Sequence, residues 1–208
     1  MQRVRIKICG ITRLEDALLA ASLGAYALGF IFYKKSPRYI RPERAQGIIA
    51  ELPPFVSTVG VFVNEEIKAI RQIYDFCRLN LVQLHGSESP EFCLKLGLPC
   101  IKAIRIKDET QLSDLSLYQG KVKGLLLDTY KKGLPGGTGR TFNWNLAVEA
   151  QKIGIPIILA GGLSPDNIEM AIKTVSPYAI DVNSGIEKSP GVKDREKMQQ
   201  VFEIWQNI

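Results

Sequence analysis

Eight short apolar runs alternate with eight amphipathic stretches along 208 residues, and no strand-rich block or linker interrupts them. Together these observations predict an α/β fold, a (β/α)8 TIM barrel, as one domain over residues 1–208. An open doubly wound parallel sheet is the alternative. It needs more outward apolar surface at two edge strands and usually carries fewer units. With 46% apolar residues the chain can bury a sizeable core.

The strands are expected over residues 4–9, 27–32, 56–61, 79–84, 100–104, 122–128, 156–160 and 178–182. In the first, Ile6 and Ile8 alternate with Arg5 and Lys7, the period of a strand. The helices are expected over residues 14–22, 42–49, 65–77, 90–96, 109–115, 144–152, 165–174 and 194–208. Gly24 stops the first. Ser89-Pro90-Glu91 and Ser164-Pro165-Asp166 each supply a cap followed by proline at the first helical position.

In such a barrel, active residues lie at the carboxyl ends of the strands and in the loops after them. The first strand ends in Cys9, a thiol against the Gly10 turn; a small buried apolar residue is its plain alternative. Cys77, Cys93 and Cys100 fall within helices or at a strand start and read as core. After the second strand come Lys34, Lys35 and Arg38, either a solvated basic loop or a guanidinium fork for a carboxylate or phosphate. The fourth ends in His85, which orients a polar ligand or is a satisfied structural group. The fifth adds Lys102 and Arg105, and the sixth closes on Asp128. The glycine-rich segment 131–140 that follows has the look of a lid. Gly161 and Gly162 after the seventh strand expose backbone amides, and Ser184-Gly185 after the eighth can start a short helix. Barrels hold phosphate in this place.

Composition narrows the function. The only histidine is His85, so no multi-histidine metal site exists. No apolar run reaches the ~18 residues that span a membrane. Four cysteines without a CxxC pair, and no signal peptide, suggest reduced thiols in a cytoplasm. The net charge of +6 fits either a basic surface or a field that attracts an anionic small molecule. The cations are scattered without an aromatic platform, which argues against nucleic acid. The oligomeric state, monomer or homodimer, is open.

An ordered set of motifs carries a resemblance. These are Lys7-Ile-Cys-Gly10, Gly29-Phe-Ile-Phe32 with Ser36-Pro-Arg38, Gln83-Leu-His-Gly86, Leu127-Asp128, Gly136-Gly-Thr-Gly139 with Phe142 and Trp144, Ala160-Gly-Gly-Leu163, and Asp181-Val-Asn-Ser-Gly185. In that order they resemble the phosphoribosylanthranilate isomerases of tryptophan biosynthesis over nearly the whole chain. Asn143 departs from the pattern, where an aspartate is expected.

The resemblance implies an Amadori rearrangement of a phosphosugar, without metal, nicotinamide or flavin. It implies Asp128 as acid, Cys9 as base and Arg38 on the anthranilate carboxylate, with the phosphate on amides around Gly162 and Ser184-Gly185. Gly161, His85 and Asp181 complete the expected substrate-binding set. A free thiol titrates near ~8.5 and a free aspartate near ~3.9, so the resting states oppose these roles. The site must lower the first, raise the second, or react through a minority state. Lys7 favours the thiolate unless strand alternation turns it away. Rival readings are another phosphosugar barrel isomerase and a non-catalytic phosphosugar-binding barrel, which needs no Cys9 facing Asp128. The histidine-pathway isomerase carries an aspartate where Cys9 stands. Indoleglycerol-phosphate synthase has an extra amino-terminal segment and catalytic lysines.

Overall fold

Eight parallel strands close on one another in chain order: β1 (Arg5–Ile8), β2 (Ala27–Ile31), β3 (Ser57–Phe62), β4 (Leu81–Leu84), β5 (Cys100–Arg105), β6 (Gly124–Asp128), β7 (Ile157–Ala160) and β8 (Ala179–Val182). The barrel shuts where β1 pairs β8, with Lys7 opposite Asp181. The computed structural model describes residues 3–105, 112–128 and 144–208. The glycine-rich segment 131–140, expected as a lid, and Asn143 lie outside those residues.

Side chains two apart on a strand share a face. Ile6, Ile8, Leu28, Phe30, Leu125, Leu127, Ile180 and Val182 therefore face outward together and join the larger core, between barrel and helices. Ile101, Ala103, Leu126, Ile158, Ala160 and Ala179 form a smaller apolar plug inside the barrel. Fully burying one such aliphatic or aromatic side chain is worth roughly 1.5–3 kcal/mol. Lys7, Gln83 and Asp181 share this inward parity and are buried polar groups.

The helices are α1 (Leu14–Leu23), α2 (Pro42–Ala50), α3 (Ile67–Cys77), α4 (Pro90–Leu96), α5 (Leu112–Leu115), α6 (Trp144–Gln151), α7 (Ile168–Val175) and α8 (Arg195–Gln206). The Ser89 cap is present, its hydroxyl accepting from Phe92 N at 3.2 Å. Asp194 caps α8 by accepting from the amides of Glu196 and Lys197. The expected start of the seventh helix at Pro165 is wrong. Residues 165–167 form a turn, and α7 begins at Ile168. The cause is Asn167, whose Oδ1 takes the Ser164 amide at 3.0 Å while its Nδ2 donates to Gly162 O at 3.0 Å. α3 likewise starts two residues late, and residues 109–111 of the fifth expected helix are not described.

After β8 come a 3-10 turn (Ser184–Ile186) and a small antiparallel hairpin, β9 (Glu187–Ser189) with β10 (Val192–Lys193). The turn matches the expected short helix; the hairpin has no counterpart in the predicted elements. It folds back toward β1, and the Thr12 hydroxyl donates to Gly191 O. Among the described residues no helix is long and apolar enough to cross a membrane.

Candidate active site at the carboxyl end of the barrel

Inward parity brings the strand-end residues to one cavity of about 390 Å³. Cys9, Arg38, His85, Asp128, Gly161, Gly162, Asp181 and Ser184 all line it. Gly185 is not among the lining residues. A Cβ there would run into the Leu163 carbonyl, so it is glycine for close backbone packing between the loops after β7 and β8.

Cys9 lies one residue beyond β1 and is 4% exposed. Gly29 makes its space: a Cβ on Gly29 would sit 2.8 Å from Cys9 Sγ and 3.1 Å from Lys7 Nζ. Lys7 is therefore inside the barrel beside the thiol. Strand alternation does not turn it away, because residues 7 and 9 share a face. Lys7 Nζ donates to Asp181 Oδ1 at 2.8 Å, both groups buried. Burial opposes the Lys7 charge, but Asp181 and the Cys9 sulfur outweigh it and hold its pKa above the usual lysine range. Burial also pushes the Cys9 thiol up; Lys7 pulls the other way without overcoming it. The thiol is thus not acidified in the ligand-free protein, contrary to one route expected from sequence.

By sequence Arg38 reads as a solvated loop residue or as a fork for a carboxylate or phosphate. In this structure its fork is on the protein's own Glu187, with Nε at 2.9 and 3.0 Å from the two carboxylate oxygens and Nη2 at 2.7 Å. Glu187 takes the Nε and Nη2 edge, and Nη1 is the nitrogen it leaves. Lys193 Nζ donates to Glu187 Oε1 at 3.0 Å and to Asn183 Oδ1 at 2.9 Å. Burial would raise the Glu187 carboxyl, but Arg38 and Lys193 together hold it below the usual range. Burial pulls Lys193 below the usual lysine range despite Glu187.

His85 and Asp128 meet across the mouth. His85 Nε2 is 3.4 Å from Asp128 Oδ2, and Arg105 Nε is 3.9 Å from the same oxygen. Gln83 Nε2 lies 2.8 Å from His85 Nδ1. As donor there, Gln83 leaves Nδ1 the accepting nitrogen and puts the ring hydrogen on Nε2, toward Asp128. Lys102 points outward. It binds Glu88 at 2.9 Å and the carbonyls of Leu84, Gly86 and Ala103, which pins the loop carrying His85.

Gly162 adopts φ +68, and the space where a side chain would stand is open. With Asn167 bracing the loop from behind, the chain approaches the cavity bare at this point. No group of three or more His, Cys, Asp or Glu that could hold a metal occurs among the described residues.

A family model described as N-(5'phosphoribosyl)anthranilate (PRA) isomerase matches residues 6–204. The chain belongs to this family. It is 53% identical over 197 residues to N-(5'-phosphoribosyl)anthranilate isomerase of Geobacter metallireducens, covering 95% of this chain and 96% of the relative. The relative of that name from Geotalea uraniireducens is 55% identical over 196 residues, covering 94% and 95%. The phosphoribosyl anthranilate isomerase structure from Thermotoga maritima superposes with a TM-score of 0.91 at 44% identity, over 99% of this chain and 100% of that one. A phosphoribosyl anthranilate isomerase solved with reduced 1-(o-carboxyphenylamino)-1-deoxyribulose 5-phosphate gives 0.88 at 42% identity, over 99% and 100%.

For a phosphoribosylanthranilate isomerase family member, sequence reasoning missed four cavity or support residues: Gln83, Asn167, Glu187 and Lys193. Two-residue parity from Cys9 and from His85 would have found Lys7 and Gln83. Glu187 and Lys193 carry no such signal, since a short hairpin brings Glu187 to Arg38 from 149 residues away in sequence and Lys193 to Glu187.

Proposed function

We propose that residues 1–208 act as one catalytic domain, an isomerase of tryptophan biosynthesis. The reaction is the Amadori rearrangement of N-(5-phosphoribosyl)anthranilate to 1-(2-carboxyphenylamino)-1-deoxyribulose 5-phosphate. The observation that carries this reading is that Cys9 and Asp128 line one cavity, with Arg38 and the glycines after β7 on its walls. The four free buried cysteines fit work in a reducing cytoplasm, as monomer or homodimer.

Asp128 gives a proton to the furanose ring oxygen as the C1–O bond breaks and the nitrogen lone pair forms a C1=N iminium. His85 Nε2–H faces the carboxylate that is left. Cys9 then takes the C2 proton. The C–H electrons become the C1=C2 bond, the nitrogen regains its lone pair, and the enolamine ketonises by taking a proton at C1 as its C2 hydroxyl gives one up. To take the C2 proton Cys9 first releases its own to water; burial holds the thiol up, while the Lys7 charge beside it and the iminium favour the thiolate. Arg38 takes the anthranilate carboxylate. The Asp181 carboxylate and His85 contact the sugar, while the Gly161, Gly162, Ser184 and Gly185 segments take the phosphate. The net charge of +6 favours a ligand with a carboxylate and a phosphate.

The test is decay of substrate fluorescence. Asp128→Asn and Cys9→Ser should each lower kcat at least ~100-fold, the scale of one general acid or base, while phosphate-ligand binding persists. Full turnover by the Cys9→Ala, Asp128→Asn double variant refutes the assignment.

A further inference from the structure

Gln83 is 1% exposed and lies on the inner face of β4, in the wall of the cavity. One end of its carboxamide is used: Nε2 bonds His85 Nδ1 at 2.8 Å. The other end is not. Among the described residues Gln83 Oε1 is a buried side-chain polar atom without a hydrogen-bond partner. A buried carbonyl without a donor is destabilising and uncommon. The strand backbone cannot supply the donor, because its amides are spent on the β3 and β5 ladders. Gln83 lines the cavity, the side from which a ligand's donor would come.

We infer that Gln83 is a substrate-binding residue, whose side-chain oxygen accepts a hydrogen bond from a hydroxyl of the bound sugar. The donor's identity rests on the phosphosugar reading above; the orphaned acceptor does not. His85 fixes the other end of the carboxamide before the ligand enters, which limits the ordering lost on binding. A hydroxyl fits better than an anion, since an oxygen acceptor repels phosphate and carboxylate. It fits better than an apolar group, which would leave the oxygen still unpaired. The sugar is thereby anchored on β4, between the acid on β6 and the thiol after β1.

Gln83→Met keeps the length of the side chain and removes the acceptor. It should raise KM roughly 10- to 100-fold, the scale of one lost hydrogen bond in a closed site. The thermal midpoint should hold or rise, because an unsatisfied buried acceptor is gone. A purely structural glutamine predicts the reverse: a lower midpoint and an unchanged KM. Gln83→Glu keeps an acceptor and should restore much of the affinity. A structure of the wild-type protein with reduced 1-(o-carboxyphenylamino)-1-deoxyribulose 5-phosphate reads the contact directly, whether or not the variants fold. A ligand hydroxyl within ~3.2 Å of Oε1 supports the inference. A ligand bound with no donor in that range overturns it. Wild-type protein that neither binds this ligand nor turns over phosphoribosylanthranilate fails the functional reading instead.

Discussion

Replacing Glu187 with alanine removes the carboxylate that holds Arg38. Glu187 receives three N–H···O contacts from Arg38, at 2.9, 3.0 and 2.7 Å, and one from Lys193 at 3.0 Å. The Glu187 and Lys193 side chains are 4% and 1% exposed, and that of Arg38 is 21% exposed. Breaking a buried ion pair by removing one partner typically costs ~3–5 kcal/mol, because the survivor stays charged in a poor solvent. Two features favour the lower end. Arg38 can turn toward water, where a pair is worth little. Lys193 keeps both Asn183 oxygens, and burial has already lowered its pKa, so it can shed its proton. A loss of about 3 kcal/mol follows. For a chain of this size that is a fall of roughly 6–12 °C in Tm. Far-UV circular dichroism on heating and in urea reads it. In the same variant Arg38 loses its orientation, so KM for the anthranilate substrate should rise more than kcat falls. A Glu187→Ala protein within ~1 kcal/mol of the parent, or one with unchanged KM, refutes the reasoning.

The same carboxylate predicts an acid limb of stability. Its folded pKa lies below the unfolded value of 4.5, so the folded state binds fewer protons. Its contribution is complete above 4.5 and is lost as pH falls through the lower folded value; urea midpoints from pH 7 to 3 should fall less steeply for Glu187→Gln. Glu88→Ala should cost ~3–5 kcal/mol, since it strands the buried Lys102 ammonium and frees the amides of Asn64 and Gly86; amide exchange at residues 85–88 should quicken, and protection equal to the parent counts against the anchor. Gly185→Ala forces a methyl onto the Leu163 carbonyl and should cost ~1–3 kcal/mol while weakening phosphate-ligand affinity; calorimetry showing neither change would rule out the close-approach explanation.

What the sequence revealed, and what it hid, follows from the range of each signal. Strand and helix alternation is local, so all eight units and the closed order were legible. Helix starts were less so. Pro165 satisfies a local rule, yet Asn167 spends its side chain backward on Ser164 and Gly162 and delays the helix by a turn. The cavity residues Cys9, Asp128, Arg38, His85, Gly161, Gly162, Asp181 and Ser184 were legible because strand ends in a barrel converge. Their charge partners were not. Glu187 reaches Arg38 through a hairpin whose turn, at Gly191, has no period to read.

Parity is the exception, a local signal that went unused. Lys7 stands two residues before Cys9, and a strand that points Cys9 into the barrel must point Lys7 there as well. The same step from His85 places Gln83 inside, and from Asn183 it places Asp181 inside. Closure of the ring then does what sequence distance cannot: it sets Lys7 opposite Asp181 across 174 residues, as an ion pair beneath the thiol. The cation that favours a Cys9 thiolate therefore comes with a carboxylate that opposes one, and with a burial that opposes it more. Burial and Asp181 together hold the thiol up in the ligand-free protein, so a Cys9 thiolate needs positive charge beyond that of Lys7.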